Sequence, residues 1–189
     1  MSASANKKRL SKEDWLVLAL DAVAKDGVAL LRIDRLVKEV GVSKGSFYWH
    51  FEDREHFIQE LLEYWHEISS LVLNELIDTS LPPEEQIRQL ITAVYIEGRV
   101  DYESAVRSWA IQDPAVRPYV EKTDRYRHAY IKNLFENCGF DPTEAELRTR
   151  VLSSYLALEG AVFDRLTEEQ HRANIDRLHS LVTAPLKDA

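Results

Sequence analysis

Apolar positions between Leu10 and Thr183 recur at three- and four-residue steps, and little of the chain alternates with a period of two. That spacing predicts helices rather than strands. Ser11-Lys12-Glu13-Asp14 has the pattern of a capping box at the start of a first helix. Trp15, Leu18, Ala19, Ala22 and Val23 share one face of it, and Gly27 ends it. A second, short helix is marked by Ile33, Leu36, Val37 and Val40. Gly41 then suits the left-handed conformation that stops a helix and turns the chain. Ser43 is placed to cap a third helix with its hydroxyl. Phe47 and Phe51 lie four residues apart and so bury together beneath that helix.

Asp53 is placed to cap a fourth helix that runs to about Asp78, with Phe57, Leu61, Leu62, Trp65, Ile68, Leu71 and Leu76 inward. Leu81-Pro82-Pro83 breaks the chain. Further helices are expected over about 84–98, 102–112, from Asp113-Pro114 to Asn137, from Asp141 to about Asp164, and from Thr167 to about Thr183. In the last three, Asp113, Asp141 and Thr167 are the caps, and Gly139 stops the first of them. The expected fold is all-α, with about nine helices. An N-terminal three-helix domain occupies residues 1–54, with a helix-turn-helix at 32–51, and a helical C-terminal domain occupies 55–189.

The third helix carries more exposed polar and aromatic groups than its length requires. With Phe47 and Phe51 buried, Gly45, Ser46, Tyr48 and Trp49 face outward, and Lys44 and His50 lie on the flanks. A helix lying in a major groove has a use for such groups. Lys44 and Ser46 can reach base edges, while Tyr48, His50 and Arg54 can donate to phosphates. An ordinary helical hairpin, with Tyr48 and Trp49 half-buried against the next helix, is the plainer alternative.

Charge changes the picture next. The chain of 189 residues carries a net −8, an unusual sign for a DNA-binding protein. The imbalance is local. Residues 1–54 hold ten Lys and Arg against eight Asp and Glu, and residues 55–189 hold 14 against 24. A nucleic-acid surface therefore belongs at the N-terminus, where Lys7-Lys8-Arg9 either lies along phosphates or stays solvated. One cysteine, Cys138, leaves no internal disulfide and fits a reducing cytoplasm. The polar N-terminus has no secretory core, and WLVLAL is far too short to span a bilayer.

The run Gly41-Val42-Ser43-Lys44-Gly45-Ser46-Phe47-Tyr48-Trp49-His50-Phe51, with the capped helix before it and Glu52-Asp53-Arg54 after it, resembles the N-terminal domain of TetR-type transcriptional regulators. The resemblance covers about the first third of the chain. It implies a homodimeric, cytoplasmic regulator, more often a repressor, that binds a double-stranded operator and responds to a small-molecule effector. It places Lys44, Gly45 and Ser46 near base edges, and Tyr48, Trp49, His50 and Arg54 near the phosphate backbone, with Ser43 at the cap counted among the DNA-binding candidates. Two positions depart from the family pattern. Arg32 and Ile33 stand where a Thr or Ser cap is usual, and Asp34 stands where some members carry a basic, base-reading residue. Arg32 and Arg35 are then the candidates for the missing phosphate contact. Asp34 either reads a cytosine amino group or faces away.

The last two helices carry a broad apolar face and a strip of small residues. Leu152, Tyr155 and Gly160, with Leu178 and Leu181, are candidates for an antiparallel pair that dimerises as a four-helix bundle. Service to the intrachain core alone is the alternative. The resemblance favours the dimer. It also implies a ligand pocket in the aromatic-rich middle of the chain, for which Trp65, Tyr95, Trp109 and Tyr126 are candidates. An enzyme reading finds little support. Glu63-Tyr64-Trp65-His66 has the spacing of a di-metal ligand pair, but such a spacing does not by itself make a metal centre. No phosphate loop or zincin motif is present. No cofactor, metal or membrane is expected. A helical interaction module with a vestigial DNA head is the other class to separate.

Overall fold

The structure is a computed structural model that describes residues 10–96, 100–162 and 166–185; the side chains at 72, 74, 96, 100, 101 and 159–162 lie outside that description. Among the described residues it consists of α-helices, one 3₁₀ turn and no strand. The helices are α1 Lys12–Asp26, α2 Ile33–Glu39, α3 Lys44–Tyr48, α4 Arg54–Glu75, α5 Pro83–Ile96, α6 Val100–Gln112, α7 Arg117–Asn137, α8 Pro142–Val162 and α9 Glu168–Thr183. Two compact units divide at 65/66, inside α4. The 54/55 division expected from sequence falls at the first turn of the same helix.

Local chemistry sets most helix ends. The Ser11 and Asp14 side chains form a reciprocal capping box on α1, and Thr167 and Gln170 form one on α9. Asp53 Oδ1 accepts the His56 N–H at 2.8 Å, and Asp141 Oδ1 accepts those of Thr143 and Glu144 at 2.9 and 3.1 Å. One start moves. Asp113 does not cap α7; its carboxylate closes a turn on the Ala115 N–H at 3.0 Å. The helix begins four residues later, with Pro118 in its first turn. Both prolines suit a first turn. The competing side-chain bond of Asp113 selects the second.

In the first unit α1, α2, α3 and the start of α4 enclose Trp15, Leu16, Leu20, Leu36, Phe47, Phe51, Phe57 and Leu61. In the second unit α8 packs on α7 and α6, and α5 packs on α9 and α7. Leu73, Ile77, Ile87, Leu90, Ile91, Ile131, Leu134, Phe135, Leu152 and Ile175 belong to its core. Leu71 and Leu76, expected inward, are exposed, and Leu73 and Ile77 take the buried places. Helical period groups residues on a face but does not say which face gets covered.

Buried charge ties this unit together. Glu103 is buried and accepts from Arg107 Nε at 2.7 Å and Arg127 Nη1 at 3.0 Å. Arg107 also grips Asp124, and Arg127 reaches the Ser69 carbonyl. Arg148 is buried as well. It bonds Glu144 and the Val182 and Ala184 carbonyls, and its guanidinium stacks 3.9 Å over Phe140. It thereby satisfies the carbonyls at the end of α9 from α8. Arg148→Met is expected to cost about 3–5 kcal/mol, because it leaves the Glu144 carboxylate and those carbonyls without their donor. Urea denaturation measures this. A loss below about 1 kcal/mol would show the guanidinium to be dispensable.

Candidate nucleic-acid interface

The turn between α2 and α3 is built from backbone geometry. Gly41 sits at φ 67°, in the left-handed region. The Val42 N–H then reaches the Val37 carbonyl at 3.2 Å and the Gly41 N–H reaches that of Lys38 at 3.3 Å. This paired closure ends α2 and throws the chain into α3. The new helix is anchored by Phe47, which is fully buried. Its ring centroid lies 5.6 Å from Trp15, 4.9 Å from Phe51 and 5.0 Å from Phe57. One side chain thus fixes the rotation of α3 about its axis.

That rotation turns the remaining side chains outward. Tyr48 is 52% exposed and Trp49 66% exposed, which sets aside the half-buried hairpin. Ser43, Lys44 and Gly45 are exposed too. Ser46 is half-buried, and Arg32 and Arg54 are exposed. A Cβ added to Gly45 would meet only Ser43 Oγ, at 3.7 Å. The fold itself has room for a side chain there. The regular helix is shorter than the expected Ser43–Phe51, covering Lys44–Tyr48, although the Trp49 and Phe51 N–H groups still bond the Gly45 and Phe47 carbonyls. Ser43 occupies the cap position in extended backbone, but its side chain makes no cap bond.

Three candidates are already engaged. Arg35 pairs with Asp26 at 2.5 Å, across the ends of α2 and α1. His50 Nε2 lies 3.0 Å from the Leu10 carbonyl and so holds the start of α1 against α3. Lys44 pairs with Asp34 at 2.7 Å. The Asp34 hydrogen bond and its charge hold the Lys44 ammonium above the ordinary lysine range. Asp34 therefore faces the reading helix, and sequence reasoning missed this contact because ten residues and a turn separate the two. Lys7, Lys8 and Arg9 lie outside the described residues.

The remaining candidates scatter. Trp65 and Trp109 are buried, Tyr95 is half-buried and Tyr126 is 39% exposed. Tyr95 stacks on His171 at 4.4 Å, and Tyr126 meets His66 edge-on at 6.4 Å. Two polar atoms outside these four candidates are more telling. Tyr130 Oη on α7 and Ser153 Oγ on α8 are buried without a hydrogen-bond partner among the described residues. Such a group costs about 1–3 kcal/mol until something satisfies it. For the dimer face, Leu152 and Leu178 are turned into the protomer's own core and cannot meet a partner. Tyr155 packs against that core as well. The apolar side chains left to solvent are Leu147, Val151 and Leu158 on α8 and Leu181 on α9. The surroundings of Gly160 are outside the described residues.

A buried aromatic anchor, a glycine-closed turn and an outward Lys-Gly-Ser-x-Tyr-Trp strip make the N-terminal unit a helix-turn-helix DNA-binding domain. Residues 16–61 match the family model of bacterial regulatory proteins of the tetR family. The HTH-type transcriptional regulator YhgD of Bacillus subtilis (strain 168) is 26% identical over 82% of this chain and 84% of its own. YerO of the same organism is 29% identical over 47% of this chain but only 31% of its own, so the chain spans less than a third of that relative. A transcriptional regulator of Rhodococcus sp. Rha1 shares the fold at a TM-score of 0.72 and 18% identity, over 92% of this chain and 96% of that one. BioQ, solved with its natural double-stranded DNA operator, aligns at a TM-score of 0.52 and 21% identity, over 93% of this chain and 99% of its own. The N-terminal unit therefore matches the tetR-family DNA-binding domain, and the chain as a whole shares the fold of the regulators it is similar to. Among the described residues no helix is long and apolar enough to cross a membrane.

Proposed function

We propose that the protein is a homodimeric, cytoplasmic repressor that leaves a palindromic operator when a small-molecule effector binds its C-terminal unit. The observation that carries the DNA-reading part is the outward strip of α3, set by the buried Phe47. Lys44 and Ser46 address base edges, Gly45 admits the backbone of the duplex, and Tyr48, Trp49 and Arg54 meet phosphates. The operator bound by BioQ supports the same use of the fold here. Arg35 and His50 hold the head together and contact DNA less than their side chains allow. The exposed Leu147, Val151 and Leu158 of α8 and the exposed Leu181 of α9 support the dimer, since large apolar side chains left to solvent suit a contact site. The orphaned Tyr130 Oη and Ser153 Oγ support an effector with polar groups beside an apolar body. Such a ligand acts only by binding the DNA-incompetent state better than the competent one.

Selection from a random duplex pool tests this. A retained palindrome with half-sites about one turn apart is the expected result. Weak, sequence-blind binding that vanishes at physiological salt would overturn it in favour of an interaction module with a vestigial head. On the selected operator, Lys44→Ala is expected to cost about 1–3 kcal/mol and relax one position. Arg54→Ala is expected to weaken all sequences alike and to reduce the salt slope by about one. Equal losses on operator and random DNA for both variants would remove the base-reading role of Lys44.

A further inference from the structure

The Lys44–Asp34 pair joins the first residue of α3 to the first turn of α2 across the helix-turn-helix, and both side chains are largely exposed. Among the described residues Arg32 and Arg54 enter no ion pair, so the head's charge is countered at the cation that leads the reading helix and left open on its flanks. We propose that Asp34 is a specificity-determining residue: its carboxylate cancels the long-range pull of Lys44 on phosphates while leaving the ammonium able to bond a base edge. This rests on the reading of α3 as the helix that enters the groove.

Attraction to phosphate is long-ranged and blind to sequence, and it scales with net charge. A lysine paired at 2.7 Å with a carboxylate presents almost no net charge at the distance of the phosphate backbone. Hydrogen bonding is short-ranged and survives the pairing. An ammonium has three donors, and Asp34 takes one. Guanine shows two adjacent acceptors, O6 and N7, in the major groove. The pair also aims the long lysine stem, which otherwise samples many rotamers. An unpaired lysine at this position would gain about as much from any phosphate as from the matched base. The paired one favours the base.

The test is Asp34→Asn, which keeps the shape and removes the charge, measured by fluorescence polarisation on a labelled random-sequence duplex over a salt series. Affinity for random DNA is expected to rise about three- to tenfold at low salt, and the salt slope to steepen by about one. On the selected operator the gain is smaller, so the ratio of operator to random affinity falls. In a Lys44→Met background the gain on random DNA is expected to vanish. Random-DNA affinity within twofold of the wild type overturns the proposal, as does a gain that persists in the Lys44→Met background or an unchanged ratio. A wild-type protein that binds no duplex at any salt would instead sink the DNA-reading assignment itself. An NMR titration of Lys44 tests the pair without DNA: in Asp34→Asn its ammonium falls back from its raised value towards that of a free lysine.

Discussion

Phe47→Ala is expected to melt the DNA-binding head and abolish operator binding while the C-terminal unit stays folded. Phe47 is fully buried and meets four aromatic rings: that of Tyr48 beside it, and those of Trp15, Phe51 and Phe57 from α1, the end of the reading segment and α4. Truncating such a side chain removes its transfer free energy and leaves a cavity that three rigid rings cannot collapse into, a cost of about 3–5 kcal/mol. Small domains hold about 5–15 kcal/mol in total, and a unit of this size lies near the lower end. The head would therefore be partly unfolded at ordinary temperature. Urea titration followed by near-ultraviolet circular dichroism should show an early transition, and proteolysis should cut before residue 54. Phe47→Leu, which fills more of the space, should restore much of both. An unchanged first transition in Phe47→Ala would mean that Phe47 does not set the rotation of α3.

Val151→Glu combined with Leu181→Glu is expected to turn the proposed dimer into a monomer and lower operator affinity on the order of a hundredfold or more. Leu181 is 72% exposed and Val151 51% exposed, so neither change disturbs the protomer core. Carboxylates placed in an apolar interface lose their hydration without a partner, which costs several kcal/mol per protomer. Loss of the second head converts bivalent into monovalent binding, and linkage of two sites ordinarily gains 10²–10⁴ in affinity. Sedimentation velocity at micromolar concentration reads the first effect, and binding to full and half operators reads the second. A double variant that still sediments as a dimer would place the interface elsewhere. Leu152→Glu is the instructive contrast: Leu152 has no exposure at all, and its replacement should unfold the protomer.

Those two leucines show where sequence reading stops. Leu152 and Leu181 are equally apolar and both lie on helices of the expected pair, yet one is core and the other faces solvent. Leu71 and Leu73 differ in the same way on α4. Period assigns residues to a face, but only the packing of α5, α7 and α9 decides which face is used. The Lys44–Asp34 and Arg35–Asp26 pairs were illegible for a related reason, since each joins side chains across a turn whose angle is a tertiary quantity. The same holds for the Arg148 clamp on the end of α9 and for the orphaned Tyr130 and Ser153 oxygens.

What the amino-acid sequence by itself determined is local: the all-α class, the caps at Ser11, Asp53, Asp141 and Thr167, the left-handed turn at Gly41, and the outward Lys44-to-Trp49 strip above Phe47. Each follows from interactions spanning at most a turn or two of chain, where covalent connectivity already places the partners. Tertiary structure alone decided which cations of the head are countered, which leucines remain for a partner and which buried oxygens lack one. Those outcomes depend on groups far apart in the chain, and their separation is set by the packing of whole helices.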